Sequence, residues 1–347
     1  MTTDNDASTG SRRKPWHELP RSVRAGIEDV LGGRVTVATS QPGGFSDGLA
    51  ARLELADGRK AFAKAVDVGA APGVAAFHRR EVVVNGGLPG GAPVPELLGS
   101  YDDQGWVALV FEDIDGALPV QPWREDELVR VIDALTDLSR RLTPAPPSLN
   151  SPGVFPRLGG WGRLADSPRS LAKLGRIAPV AAREMDRHLA LEALLPEVMV
   201  GETLAHGDLY PFNVLLTQDR VVVVDWPHAW VGPAYADLVM LLGSVALGGV
   251  DPEPYAARHP LLRGVDPVAV DVLVSAQAGF LLAAACSMDS ADPGTDPKLE
   301  RMMTALGRAS LWWLSLTRPA PVRAVSGRAV CIPCEFVGTS PVRAGRR

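Results

Sequence analysis

The sequence predicts an α+β protein with a small, strand-rich N-terminal lobe and a larger helical C-terminal lobe. Runs of β-branched and aliphatic residues, separated by turns that contain Gly or Asp, lie between residues 34 and 113. After residue 124, apolar residues recur at helical spacing, apart from one hairpin pattern at 213–225. A chain of 347 residues that is 46% hydrophobic and 22% charged is long and apolar enough for two lobes with separate cores.

The N-terminal lobe is predicted to span residues 18–115. Its first helix falls at about 18–31, where Val23, Ile27 and Val30 lie at helical spacing. Apolar runs then predict strands at 34–40, 49–55, 60–66 and 106–113. A helix is predicted before the last strand, at 75–88. The short turns between the early strands favour an antiparallel sheet.

The C-terminal lobe is predicted to be mainly helical and to span residues 116–317. It begins with a long amphipathic helix at 124–142. Further segments of helical length follow at about 180–195, 235–248, 267–287 and 299–315. The polar leader at 1–17 and the basic tail at 318–347, which is rich in Arg, Pro, Gly and Ser, are predicted to be disordered.

Charge and composition argue against several classes of partner. A formal net charge of −5 gives no support to nucleic acid or to an anionic membrane as the main partner. The start of the chain has no apolar signal region, and the apolar stretches near 238–250 and 278–288 are interpreted as too short or too broken to span a bilayer. Cys286, Cys331 and Cys334 do not form a disulfide framework, and the last two lack the second ligand pair of a zinc site. These features predict a cytoplasmic protein.

The sequences HGDLYPFNVLL (206–216) and VVVVDW (221–226) carry the most informative pattern. NVLL, TQDR and VVVVD form a hairpin pattern of two apolar runs around a short polar turn. Antiparallel pairing about this turn would place Asn213 opposite Val224 and beside Asp225. An amide oxygen and a carboxylate at one open strand end are suited to Mg²⁺, which takes few protein ligands and leaves room for phosphates.

This arrangement matches the needs of phosphoryl transfer. The reaction requires a metal on the phosphates and a carboxylate aimed at the acceptor hydroxyl. His206 and Asp208 with Asn213 fit the catalytic pattern H-R-D-x-x-x-x-N with Gly207 in place of Arg, and Asp225 stands where a metal-binding D-F-G motif would begin. In the alternative interpretation, His206 and Asp208 only cap a turn and the hairpin is structural. The spacing, the hairpin and the second aspartate together favour the catalytic interpretation.

Lys64 and Glu81 are the candidates for nucleotide binding in the N-terminal lobe. Lys64 lies in the alternating strand AFAKAV, where a lysine inside a lobe needs an anionic partner. Glu81, on the next predicted helix, could pair with Lys64 and orient it toward phosphate oxygens. The alternatives are a solvated lysine and an ordinary surface glutamate.

Two further segments are candidates for nucleotide contacts on weaker grounds. In GGFSDG, which includes Gly43, Gly44 and Ser46, backbone N–H groups could approach a phosphate closely, although the run is neither G-x-G-x-x-G nor a Walker A motif. A plain hairpin turn is the alternative. In FEDID, the carbonyl of Glu112 and the N–H of Ile114 could meet an adenine edge if the lobes join there.

Taken in order, GGFSDG, FAKAV, Glu81, HGDLYPFNVLL and VVVVDWPHAWVGPAYADL resemble the aminoglycoside phosphotransferase family, a branch of the protein-kinase-like fold. The resemblance covers about 34–245 and is most specific at 206–238. It implies a bilobal fold that binds ATP between the lobes and transfers the γ-phosphate, with Mg²⁺, to a small molecule with a free hydroxyl. An aminoglycoside or another antibiotic is a candidate acceptor.

The resemblance also implies a role for each matching residue in the reaction. Asp208 would orient the acceptor hydroxyl and accept its proton. Asn213 and Asp225 would hold Mg²⁺. Lys64 would hold the phosphates of the nucleotide and would be steadied by Glu81.

Other positions in the motif block have supporting roles or depart from the family pattern. His206 would brace the loop, and Asp237 would tie it down from a helix start, where a simple N-cap is the alternative. Tyr210 and Phe212 replace residues that are often small or His in the family, which would reshape the acceptor side. Five acidic residues in the helical half are available to bind the amines of a cationic acceptor, and the alternative is that they are ordinary loop acids. They are Asp251, Glu253, Asp289, Asp292 and Asp296.

Three competing functions stay open at this point. Kinases of choline, homoserine and other small metabolites resemble the same family, so the resemblance does not determine the acceptor. The sequence also leaves open whether the nucleotide is ATP or GTP and whether the protein is a monomer or a homodimer. A catalytically silent kinase-like protein would bind only a nucleotide or a partner, but all the key residues are present. A protein kinase is disfavoured because Asp225 and Tyr235 leave little room for a peptide-docking segment.

Overall fold

The computed structural model describes residues 13–41, 48–149, 157–288 and 296–317. A five-stranded antiparallel sheet with two helices forms the N-terminal lobe, and the C-terminal lobe is mostly helical. This architecture confirms the predicted α+β fold with a small β-rich lobe and a larger helical lobe.

The elements of the N-terminal lobe follow the predicted order with one addition. They are α1 (Arg21–Leu31), β1 (Val35–Ser40), β2 (Leu49–Leu55), β3 (Lys60–Asp67), α2 (Pro72–Gly87), β4 (Leu97–Asp103) and β5 (Trp106–Glu112). The strand order in the sheet is β1-β2-β3-β5-β4. Sequence reasoning missed β4, whose sequence LLGSYDD has no buried residue and whose pairing with β5 shifts register between Leu97 and Gly99. An edge strand of this kind lacks the apolar alternation on which strand prediction depends.

The sheet of the N-terminal lobe is covered differently on its two faces. On one face, Val23 and Ile27 of α1 pack against Ala63 and Ala65 of β3 and their neighbours in a closed apolar cluster. Because side chains alternate along a strand, Lys64 lies on the other face. There it is only 18% exposed. The strand therefore points the lysine away from the α1 core and toward the side on which α2 packs.

The elements of the C-terminal lobe enclose the motif block of the sequence. They are α3 (Glu125–Arg141), α4 (Trp161–Asp166), α5 (Pro168–Ile177), α6 (Pro179–Arg183), α7 (Met185–Ala193), α8 (Leu195–Val198), β6 (Thr203–Ala205), β7 (Val214–Leu216), β8 (Val221–Val223), β9 (Trp230–Gly232), α9 (Ala236–Leu247), α10 (Glu253–Ala256), α11 (Pro267–Ser287) and α12 (Pro297–Thr317). The single helix predicted at 180–195 is in fact two helices, α6 and α7, which are separated at Glu184. The short helices α4 and α5 were not predicted.

Helix α11 corrects one expectation about apolar segments. Within the described residues it is the one helix that is long and apolar enough to cross a membrane, so the prediction that such stretches are too short is wrong about length. However, 72% of its apolar window is buried inside the protein. The helix packs against α12, α9 and α7 and forms the centre of the C-terminal core.

The structure describes the chain from residue 13 to residue 317, apart from the gaps given above. Residues 1–12 and the tail at 318–347 lie outside the described residues. Residues 13–17, which were predicted to belong to a disordered leader, contact the sheet region: the N–H of Lys14 donates to the carbonyl of Gly48 at 2.9 Å. A single 3-10 turn follows at Trp16–Glu18.

Candidate active site

The loop between β6 and β7 contains His206 and Asp208 and is fixed by hydrogen bonds at its start. The carboxylate of Asp237 accepts hydrogen bonds from the N–H of His206 at 2.7 Å and of Gly207 at 3.0 Å. The N–H of Asp208 donates to Nδ1 of His206 at 3.2 Å, so Nε2 of the imidazole carries the proton and donates to the carbonyl of Val224 at 3.0 Å. His206 therefore connects the loop to the end of β8. The N-cap alternative for Asp237 does not describe the structure, because Tyr235 precedes α9 and makes no side-chain cap.

Gly207 explains why this loop departs from the H-R-D pattern. Its φ is +78°, in the left-handed region that side chains rarely adopt. A Cβ atom at this position would lie 2.4 Å from the carbonyl oxygen of His228 and 2.8 Å from Cδ1 of Trp230. The close approach of the backbone to these two residues therefore requires glycine.

The hairpin brings the predicted metal-binding residues to one end. Val214 pairs with Val223, and the N–H of Val224 donates to the carbonyl of Asn213 at 3.0 Å, which is the predicted register. The amide group of Asn213 donates to the main-chain carbonyl of Asp208 at 2.7 Å and lies 3.5 Å from its Oδ2. Asp225 follows directly, with a φ of +70° and a side chain that is 42% exposed.

Lys64, Glu81 and Asp225 form an ion-pair cluster that joins the two lobes. Nζ of Lys64 lies 3.0 and 3.1 Å from the two carboxylate oxygens of Glu81 on α2, and 2.7 Å from Oδ1 of Asp225. Glu81 is 2% exposed. A second link runs in parallel, since the guanidinium of Arg80 donates to the carbonyl of Ala229 at 3.1 Å.

The electrostatics of this cluster favour a charged lysine. Burial lowers the pKa of Lys64, but the carboxylates of Asp225 and Glu81 outweigh it, so that the pKa is raised overall. Burial also opposes ionisation of Asp225, yet the charge of Lys64 lowers the pKa of this carboxyl group. Burial raises the pKa of Glu81, and Lys64 offsets only part of that effect. Lys64 is therefore a fixed cation at the junction of the lobes.

The oxygen donors near the hairpin fit a hard divalent cation. Among the described residues, Oδ2 of Asp225 and the side-chain carbonyl of Asn213 accept no hydrogen bond. The described ranges contain no cluster of three or more His, Cys, Asp or Glu side chains that could hold a metal. One carboxylate and one amide match instead the small set of protein donors that Mg²⁺ takes when phosphates and water supply its other ligands.

The remaining predicted nucleotide contacts have different outcomes. Gly43, Gly44 and Ser46 lie outside the described residues. Glu112 ends β5, the strand beside Lys64, and its N–H donates to the carbonyl of Glu96 at 2.9 Å. Ile114 is buried in the segment that connects the lobes, and its carbonyl accepts from the Arg52 guanidinium at 2.9 Å. No hydrogen bond of either Glu112 or Ile114 within the described ranges reaches the cluster of Lys64, Glu81 and Asp225.

Two residues near Asp208 were missed by sequence reasoning. Nη1 of Arg157 lies 2.8 Å from Oδ1 of Asp208. Nothing in the local sequence distinguishes this arginine, because the contact depends on packing between distant segments. His228, to which no role was assigned, is buried and packs edge-on against Phe77 at 4.7 Å between ring centroids. Its position three residues after Asp225, inside the motif block, was the available signal.

The acidic residues considered for a cationic acceptor have other contacts where they are described. Asp251 accepts from the N–H of Glu253 at 2.9 Å, and Asp296 accepts from the N–H of Lys298 at 2.8 Å. The carboxylate of Glu253 accepts from the Trp313 indole at 3.4 Å. Asp289 and Asp292 lie outside the described residues.

A cavity of about 900 Å³ between α3 and residues 250–260 is lined by several acidic side chains, including Asp133 and Asp137. Asp251, one of the acidic residues considered for a cationic acceptor, also lines it, but Asp208, Asn213 and Asp225 do not. A large acidic cavity is therefore present, but it is separate from Asp208.

The two-lobed fold and the ion-pair cluster define a kinase-like phosphotransferase. A family profile described as the phosphotransferase enzyme family matches residues 42–269, more than half of the chain, and the chain belongs to this family. The family and the fold together support a small-molecule phosphotransferase. No curated protein matches the sequence significantly.

Solved structures with the same fold include two small-molecule kinases. A protein described as a fructosamine-3-kinase from Thermobifida fusca is 23% identical, with 85% of this chain and 100% of that chain covered and a TM-score of 0.51. Spectinomycin phosphotransferase APH(9)-Ia, solved with ADP and spectinomycin, is 10% identical, with 81% and 94% covered and a TM-score of 0.56. At these identities the similarity shows a shared fold.

Proposed function

We propose that this protein transfers the γ-phosphate of ATP, with Mg²⁺, to a hydroxyl group of a small molecule. The observation that carries the proposal is the position of Lys64 between Glu81 and Asp225, at 3.0 and 2.7 Å, across the junction of the lobes. A buried lysine held by a helix glutamate, opposite a metal-binding aspartate, is the arrangement that kinases use to hold nucleotide phosphates.

In this proposal, the nucleotide phosphates bind at the ion-pair cluster. Lys64 would exchange its contact with Asp225 for phosphate oxygens while Glu81 keeps it oriented. Asn213 and Asp225 would hold Mg²⁺, which would neutralise charge on the phosphates. The spectinomycin phosphotransferase, which shares the fold, was solved with ADP, and this supports the binding of a nucleotide by this protein.

Asp208 is proposed to serve as the proton acceptor of the reaction. It is 7% exposed, and its loop is fixed by Asp237 and by the amide of Asn213. As the acceptor oxygen bonds to the γ-phosphorus, the bond from this phosphorus to the β–γ bridging oxygen breaks and ADP leaves. The proton of the hydroxyl passes to the Asp208 carboxylate. In this step the protein therefore contributes mainly the position and the negative charge of the Asp208 side chain.

An antibiotic is one proposed acceptor, supported by the fold shared with spectinomycin phosphotransferase. A metabolite such as choline or homoserine is the second candidate, because the family match does not separate these acceptors. A catalytically silent nucleotide-binding protein is the third, although Lys64, Asp208 and Asp225 are all in place. A peptide acceptor is disfavoured because α9 starts at Ala236, which leaves no long docking segment after Asp225.

The test is Mg-ATP consumption by the full chain against aminoglycosides, macrolides, choline and homoserine, with mass detection of a phosphate adduct. The Asp208→Asn variant is the matched control, because it keeps the size of the side chain and removes its negative charge. We expect one class of compound to gain a phosphate with the wild type, and Asp208→Asn to bind Mg-ATP but not to turn over. Near-normal turnover by Asp208→Asn would refute the base assignment. A wild type that neither binds Mg-ATP nor forms an adduct would favour the silent protein.

A further inference from the structure

Arg157 occupies one side of the proposed catalytic base. Its Nη1 atom lies 2.8 Å from Oδ1 of Asp208, and the two side chains are 30% and 9% exposed. The other carboxylate oxygen, Oδ2, faces the Asn213 amide at 3.5 Å. A carboxylate can accept about four hydrogen bonds. An acceptor hydroxyl can therefore still reach Asp208, but it must approach directly beside a guanidinium group.

An aromatic ring lies beside the guanidinium of Arg157. Its guanidinium lies 5.5 Å from the centroid of the Phe280 ring. Tyr210, two residues after Asp208, stacks on Phe212 at 5.3 Å between ring centroids. Tyr210 also belongs to an apolar cluster that includes several methionines of the C-terminal lobe, with Phe280 packed against it. Phe280 thus connects the guanidinium of Arg157 to the apolar cluster that contains Tyr210.

His228 adds a neutral polar group to the same place. It is 8% exposed, and among the described residues neither of its ring nitrogens makes a hydrogen bond. The carbonyl oxygen of His228 faces Gly207, the residue before Asp208, because a Cβ atom on Gly207 would lie 2.4 Å from it. Burial and the charge of Arg157 lower the pKa of His228 to about 4. An unpaired, nearly buried imidazole in this position is available to a ligand.

The charges around Asp208 disfavour an acceptor with an amine near the reacting hydroxyl. An ammonium group there would be repelled by Arg157. Two of the acidic residues considered for a cationic acceptor, Asp251 and Asp296, instead accept hydrogen bonds from backbone N–H groups at helix starts. In contrast, a guanidinium presents several donors in a planar fork that matches the geometry of an oxyanion.

We propose that the acceptor carries an oxyanion group, a carboxylate or a phosphate, close to the hydroxyl that is phosphorylated, on an otherwise apolar body. Arg157 would bind the oxyanion, His228 would add a hydrogen bond, and Asp208 would take the hydroxyl. This inference rests on the proposed phosphotransferase function and names the acceptor class of that site. It separates this protein from enzymes that bind polycations next to the base.

The test uses matched pairs of probes that differ only in the anion. Mandelate with mandelamide and homoserine with homoserinamide examine the carboxylate, glycerol 3-phosphate with glycerol examines the phosphate, and kanamycin is the polycation. Adduct formation with Mg-ATP and the thermal midpoint with Mg-ADP are measured for the wild type, Arg157→Gln and Arg157→Lys. Arg163→Gln is the control, because this nearby exposed arginine reaches only the carbonyl of Gly159, at 3.4 Å.

We expect at least one oxyanion probe to react about 10- to 100-fold faster than its neutral partner, or to raise the thermal midpoint equally at a concentration lower by about that factor. This factor corresponds to the free energy of a hydrogen bond to a charged group. Arg157→Gln should remove this preference and Arg163→Gln should keep it. If Arg157→Gln does not fold, Arg157→Lys keeps the charge without the fork and should weaken the preference.

Three results would overturn the inference while Mg-ATP still binds. One is a preference for the neutral probes or kanamycin in the wild type. Another is an oxyanion preference that survives in the folded Arg157 variants. If no probe reacts and no oxyanion stabilises the wild type more than its partner does, the inference is also wrong. Absence of Mg-ATP binding by the wild type would instead count against the proposed function itself.

Discussion

The carboxylate of Asp237 accepts the backbone N–H groups of His206 and Gly207, at 2.7 and 3.0 Å, just before Asp208 in the chain. Burial raises the pKa of this carboxyl group, and the two N–H donors and His206 partly offset the effect. A residue at the start of α9 thus fixes the main chain that carries the proposed base. The position of Asp208 therefore depends on the start of α9.

Replacing Asp237 with asparagine should slow turnover more than it weakens Mg-ATP binding. Asparagine offers one acceptor oxygen and places its NH₂ group against a backbone N–H, so that one buried donor loses its partner. We expect a loss of about 1–3 kcal/mol in the free energy of unfolding and at least a tenfold drop in kcat. Asp266→Asn is the control, since Asp266 is an exposed N-cap on Val268 and asparagine caps equally well. Unchanged kcat in a folded Asp237→Asn protein would contradict a positioning role.

Replacing Asp225 with asparagine should weaken the binding of Mg-ATP without unfolding the protein. Asparagine tolerates the φ of +70° at this position, and the pair of Lys64 and Glu81 remains. We expect the affinity for Mg-ATP to fall about 10- to 100-fold, which corresponds to the free energy of one interaction with a charged group. The affinity for ATP without Mg²⁺ should stay equal or rise. Nucleotide titrations at several Mg²⁺ concentrations measure this. Asp219→Asn, in the exposed turn of the same hairpin, is the control, and an identical Mg²⁺ dependence in both variants would count against Asp225 as a metal ligand.

Replacing Gly207 with alanine should cost more stability than the same change at Gly58. Both residues have a positive φ, +78° and +85°, so both variants carry roughly 1–2 kcal/mol of backbone strain. At Gly58 nothing lies within 4 Å of the added Cβ, whereas at Gly207 the carbonyl oxygen of His228 lies 2.4 Å away. Urea unfolding should therefore show an additional loss of about 1–3 kcal/mol for Gly207→Ala. Equal losses in the two variants would mean that the loop can move away from His228.

The buried His188 should make the protein less stable in acid. It stacks on Trp161 at 4.1 Å, and its Nδ1 lies 3.0 Å from Oγ of Ser275. Burial, together with a smaller effect of the neighbouring Arg187 charge, lowers the pKa of His188 to about 4. As the pH falls below the unfolded value of about 6.5, the unfolded chain binds the proton first, so this stability is complete above that pH and is lost toward pH 4.

Urea midpoints at pH 7.5 and pH 5 measure this effect. His188→Gln cannot gain the charge, so it should lose about 2 kcal/mol less than the wild type between these pH values, although it is less stable at both. His17→Gln is the control, because His17 is exposed. If the wild type and His188→Gln lose the same free energy on acidification, the burial of a neutral His188 does not contribute to the acid sensitivity.

The parts of the fold that could be predicted depend on local patterns. Strand β2 has the predicted ends, Leu49–Leu55, because a two-residue alternation and a tight turn are visible in the sequence. The same is true of the pairing of Val214 with Val223 in the hairpin. Strand β4 was missed because it lies at the sheet edge and buries no residue. The break at Glu184 between α6 and α7 was missed because the apolar spacing continues through it.

The sequence by itself determined that Asp208, Asn213 and Asp225 lie together, because a loop and a hairpin of fixed length place residues that are near one another in the chain. Only the tertiary structure decided that Arg157 lies beside Asp208 and that His228 stays unpaired near them. Arginine and histidine have no local pattern that marks such a position. The contact of Arg157 with Asp208 arises from the packing of segments that are far apart in the chain. His228 lies close to Asp225 in the chain, but the surroundings of its ring depend on the fold, since Phe77 of the other lobe packs against it.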